Sequence, residues 1–96
     1  MQTSGLMDHG AKTVDTAVVQ ITTYNIPLTF GILIKAAGAN TGIVYVGNSD
    51  VTAGTADATD GIQLSAGDAV LLELDAASKA YAIASAAGQK VFWIAV

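Results

Sequence analysis

The side chains able to do chemistry are few in this sequence, and they are poorly spaced for it. The one histidine, His9, would have to serve any Ser-His-Asp relay. It lies between Asp8 and Gly10, in a segment without periodicity that offers nothing to hold an imidazole in place. Glu73 and Asp75 are two apart on a strand pattern, so their carboxylates share a face. Paired carboxylates can work as acid and base on a glycoside. Here the opposite face is apolar, so the pair reads as the solvated side of a strand. Asp50, Asp57, Asp60 and Asp68 fall in or beside loops. Calcium needs several oxygen ligands on a fixed loop; their spacing fits no EF-hand, and turn capping explains each. There is no cysteine, hence no thiol nucleophile, disulfide or cysteine zinc site. No GxGxxG, phosphate-binding loop or HExxH occurs. No catalytic, cofactor-binding or metal-binding residue is therefore expected, and the chain is not expected to be an enzyme.

What the residues do specify is packing. Apolar residues make up 52% of the 96 positions and charged residues only 12%, with mean hydropathy +0.52. Ordinary globular chains carry about 25% charged residues. A single domain of this size has much surface per volume, so apolar surface is left over for another subunit to cover. The net charge is −4, and four lysines with no arginine cannot make a phosphate-neutralising patch. Nucleic acid and anionic membranes are thus not expected partners. No basic and apolar leader opens the sequence, and no apolar run reaches the ~18 residues of a membrane span.

The elements follow from alternation and turn residues. Residues 1–15 lack a period, are broken by Gly5 and Gly10, and are expected as an extended N-terminal arm with Leu6 and Met7 as anchors on a neighbour. Residues 16–96 are expected as one all-β domain. Strands are predicted at 16–24, 28–35, 43–46, 61–64, 70–75, 79–85 and 91–96. Gly31, in mid-strand, predicts a bulge or a close backbone neighbour. The 51–60 stretch reads as a surface loop, Ser65–Asp68 as a turn with Gly67 at positive φ, and Tyr81 and Ile83 as inward residues. Strand spacing of about 8–12 residues is that of a small antiparallel β-sandwich of jelly-roll type. The last strand, VFWIAV, is apolar on both faces: Val91, Trp93 and Ala95 on one, Phe92, Ile94 and Val96 on the other. Only one face of a sandwich strand meets the core. Phe92, Ile94 and Val96, with Leu71, are therefore expected to associate with other subunits.

The sequence IKAAGANTGIVYVGNSDVTAGT, with GIQLSAGDAVLLELD and AYAIASAAGQKVFWIAV, resembles small structural proteins of tailed bacteriophages. The likeness rests on NTG before VYVG, on GD before a strand, and on GQ before the closing strand. It implies a virion component on the capsid exterior: a decoration, or cement, protein. Such a protein forms a homotrimer, binds the major capsid protein and holds neighbouring capsid subunits together. The alternative is a carbohydrate- or receptor-binding module of a tail or fibre, for which Tyr24, Tyr45, Tyr81 and Trp93 are the available sugar platform.

Overall fold

The computed structural model describes residues 7–23, 28 and 30–96. Its strands are β1 (Asp8–Val14), β2 (Val19–Gln20), β3 (Ile32–Ala36), β4 (Val44–Gly47), β5 (Ile62–Leu64), β6 (Ala69–Leu72), β7 (Tyr81–Ala84) and β8 (Gln89–Ala95). A 3₁₀ turn at Ala77–Lys79 joins β6 to β7. The strands form two four-stranded sheets, β1-β8-β3-β6 and β2-β7-β4-β5. All pairs are antiparallel, and the pairing is nested: β1 with β8, β2 with β7, β3 with β6, β4 with β5. The chain is thus one long hairpin, folded at the β4–β5 connection and rolled so that its rungs fall alternately in the two sheets. That topology is the jelly roll, the all-β sandwich expected from strand count and spacing.

Alternation decides what enters the core. In β8, Val91, Trp93 and Ala95 are buried while Lys90, Phe92 and Ile94 are exposed; in β3, Ile32, Ile34 and Ala36 are buried while Leu33 and Lys35 are exposed. The second sheet supplies Val44, Val46 and Leu64, with Ala80, Ala82 and Ala84. Here the expected phase of β7 is corrected: its alanines face inward, and Tyr81 and Ile83 are half-buried on the outside. The register explains the inversion. Ala84 lies beside Val44 and Ala82 beside Val46, so the alanines share the face of the β4 valines. Small residues on this sheet leave room for Trp93, Ile32 and Ile34 from the other.

Residues 8–14, expected as part of the arm, form an edge strand of the chain's own sandwich, and residues 1–6 lie outside the described residues. All seven residues of β1 pair with β8. Residues 8–14 thus pack as part of the same sheet as residues 89–95. Their strand pattern was hidden because the residues sharing a face with Trp93 are Asp8, Gly10 and Lys12. The indole fills the place of an apolar side chain there: a Cβ on Gly10 would lie 3.1 Å from Trp93 Cζ2. Lys12, paired with Val91 yet exposed, also puts a charge on this edge strand, which discourages uncontrolled strand addition.

Two further expectations change. The 28–35 strand starts only at Ile32. Gly31 has φ +131, and a Cβ there would lie 2.1 Å from the Leu72 carbonyl oxygen. This is the close approach foreseen for Gly31, and Phe30, expected on the face of Ile32 and Ile34, is exposed. Val51, placed in a surface loop by its neighbours, is buried beside Gly47 and Gly61, which leave room for its methyl groups. Of the strand expected at 16–24, Val19–Gln20 forms β2 and Ile21 is buried, while Tyr24 lies outside the described residues.

Candidate functional site

The outer face of the β1-β8-β3-β6 sheet carries the residues expected to self-associate. Directly paired residues on neighbouring strands share a face, so the register places side chains in rows. One row runs His9, Ile94, Leu33, Leu71 across the four strands. The next runs Ala11, Phe92, Lys35, Ala69. Exposure is 36% at Ile94, 40% at Leu33, 50% at Phe92 and 54% at Leu71, large for apolar side chains in a row. Leu33, Lys35, Phe92, Trp93 and Ile94 line a shallow hollow of about 210 Å³ in this face.

The lysines of the face, Lys90 and Lys35, lie toward one end, where the exposed Asp15 and Asp68 are turned into caps on the Gly88 and Ser65 amides. At the other, Gly31 and Val96 exchange backbone hydrogen bonds of 3.1 and 3.0 Å, and the exposed Glu73 lies just past the end of β6, its Cα close to Gly31. Neither Lys35 nor Glu73 has an ion-pair partner among the described residues.

Three of the four expected association residues, Leu71, Phe92 and Ile94, therefore converge. Val96 is half-buried at the margin of the same face. Leu33 was not singled out, although its alternation with Ile32 and Ile34 carried the signal. Of the arm anchors, Met7 is exposed just before β1, and Leu6 lies outside the described residues.

The motif residues do a different job. The Gln89 side chain is buried, and its Oε1 accepts from the Thr41 and Gly42 amides at 2.9 Å each. Its Nε2 donates to the Ala87 carbonyl at 3.0 Å. Asn40 mimics a strand: its Oδ1 accepts from the Lys90 amide and its Nδ2 donates to the Lys90 carbonyl, both at 2.9 Å. Asp15 accepts from the Gly88 amide at 2.7 Å, and Ser85 Oγ from the Ile43 amide at 3.0 Å. NTG and GQ are thus two halves of one latch, which pins the β3–β4 loop to the start of β8.

The acidic loop residues are also occupied with folding. Asp60 accepts from Thr52 Oγ1 at 2.6 Å and from the Asp57 and Ala56 amides at 2.8 and 2.9 Å. Those bonds, that of Thr52 foremost, hold its carboxyl below the usual range. Asp68 caps its turn by accepting from the Ser65 amide, and Gly67 has φ +85 as expected. Asp75 pairs with Lys79 at 2.7 Å on an exposed surface, which lowers its carboxyl pKa. No group of three or more metal-ligating side chains gathers among the described residues. His9 is exposed on β1. Trp93 is buried in the β1-β8-β3-β6 sheet, while Tyr45 and Tyr81 lie on neighbouring strands of the other sheet and share one face, Tyr45 buried and Tyr81 half-buried. A cleft of about 300 Å³ does open beside the β4–β5 loop, lined by Asn48, Asp50, Thr59, Asp60 and Ile62 among others.

Comparison with protein-family models, curated proteins and solved structures returned no match.

Proposed function

We propose that this protein is a structural assembly module, a decoration protein on the exterior of a tailed-phage capsid, that joins copies of itself and binds the major capsid protein. The observation that carries the proposal is the apolar outer face of the β1-β8-β3-β6 sheet. Phe92, Leu71, Leu33 and Ile94 stand together there with nothing of the described chain over them. Burying apolar area is worth about 25 cal/mol per Å² before ordering costs, so four such side chains favour association. The jelly roll is compatible, since capsid and lectin domains both use it, but a fold alone does not choose a function. The motif likeness has the same standing: its residues build the latch and carry architecture rather than a role.

Two measurements test this. The chain added to purified expanded capsids should bind and raise their heat resistance. Ile94→Asp should keep the fold, because Ile94 points outward, and should lose both self-association and capsid binding. An Ile94→Asp chain that assembles like the parent in light scattering would remove this face from consideration. The cleft beside the β4–β5 loop favours a second function, glycan binding by a tail or fibre module. Retention on a glycan column, with indifference to capsids, would select it.

A further inference from the structure

We infer that the occupant of this face is the same face of a second copy, related by a two-fold axis along the His9–Ile94–Leu33–Leu71 row. The inference rests on the proposed self-association and specifies its symmetry: a two-fold contact through this face, in place of the three-fold one that the resemblance implies. A face that meets itself must be self-complementary, and the charges decide which two-fold it can accept. An axis parallel to the strands would keep the lysine ends together, gathering Lys35 and Lys90 of both copies. Like charges so placed oppose association. An axis across the strands reverses one copy end for end. The lysine end of each then lies over the Gly31–Val96 end of the other. Lys35 lies opposite Gly31 of the second copy, one strand from its Glu73, and the symmetry makes that contact twice. Both groups lack a partner within their own chain among the described residues, so pairing breaks nothing already made. Along the axis, Ile94 meets Ile94 and Leu33 meets Leu33. Apart from His9 at the β1 edge, apolar residues thus stand where each side chain must face its own copy.

Two experiments on the full chain decide it. Lys35→Glu and Glu73→Lys, taken singly, should each weaken self-association about tenfold or more in sedimentation equilibrium, by placing like charges together. The double exchange should restore it to within about threefold. In the second experiment, single cysteines are introduced into a chain that has none of its own. Leu33→Cys should oxidise to a homodimer, because a position on the axis meets itself. Lys35→Cys alone should not, yet mixed with Glu73→Cys it should cross-link. If Ile94→Asp abolishes association but the double exchange rescues nothing and Leu33→Cys stays monomeric, the two-fold is wrong while self-association through the face stands. If Ile94→Asp changes nothing, the self-association itself is wrong.

Discussion

Replacing Gln89 by leucine removes the centre of the latch and leaves its shape roughly filled. The Gln89 side chain is 2% exposed and satisfies the Thr41 and Gly42 amides at 2.9 Å each. Leucine offers neither an acceptor, and solvent has poor access to the vacated site. An unsatisfied buried group costs about 1–3 kcal/mol. Two amides, partly relieved by loop movement, give about 2–4 kcal/mol. For a domain of about 100 residues, each kcal/mol lowers Tm by about 4–8 °C. The expected fall is therefore about 10 °C or more in a calorimetric or circular dichroism melt. Asn40→Ala is the control. It removes two hydrogen bonds of similar length to Lys90, but in an exposed setting where water replaces them. Its cost should be near 1 kcal/mol. Hydrogen exchange should show protection lost at Thr41 and Gly42 in Gln89→Leu. If Gln89→Leu melts no lower than Asn40→Ala, burial does not set the cost of losing these bonds, and the latch is not what holds this end of the sandwich together.

Gly31→Ala should be the most damaging small substitution. It combines a disfavoured φ of +131 with a Cβ position 2.1 Å from the Leu72 carbonyl, costing about 3 kcal/mol or more. Gly67→Ala, at φ +85 but in open space, should cost only about 1 kcal/mol in the same melt. The Asp60 carboxyl titrates below its ordinary value, so its contribution is present above the unfolded pKa of about 3.9. That contribution is lost as pH falls through the lowered value. Amide exchange at Ala56 and Asp57 should accelerate over that acid window, and Asp60→Asn should remove the pH dependence.

Alternation is legible wherever one side of a strand is apolar and the next residue is not. The alternation of Val70, Leu72 and Leu74 with Ala69, Leu71 and Glu73 marks one face, and the sorting of 91–95 into two faces held residue by residue, while Val96, expected with Phe92 and Ile94, is half-buried. The pattern failed where a distant side chain does the filling. β1 showed no apolar face because Trp93, eighty-three positions after Gly10, covers the glycine. β7 read in the wrong phase because alanine beside tyrosine and isoleucine looks like the outer residue. Only the opposite sheet, with its indole and isoleucines, makes alanine the one that fits. Asn40 and Gln89 were recognisable as turn residues, but nothing local says that their neighbourhoods meet. The exposed apolar face was half legible for the same reason. Phe92 and Ile94 declared themselves within one strand. Leu33 and Leu71 joined them only through the registers of β3 with β8 and of β3 with β6.

The size of that face constrains how it can work. Four strands spaced by about 4.8 Å and seven residues rising by about 3.3 Å each project to about 400 Å². A standard interface buries about 800 Å² on each partner. At about 25 cal/mol per Å² the gross gain is of the same order as the estimated 4–15 kcal/mol cost of association. A free pair should therefore be weak and fall apart on dilution into the low micromolar range. A capsid surface changes the arithmetic without changing the contact. On the proposed shell, each bound copy would meet its neighbour at an effective concentration near millimolar, and many weak contacts would then act together. Dilution should thus strip self-association from the free chain while leaving shell-bound copies in place. Copies that leave the shell at the concentration where the free pair dissociates would show that the contacts do not cooperate, and a cement that does not cooperate cannot strengthen what it covers.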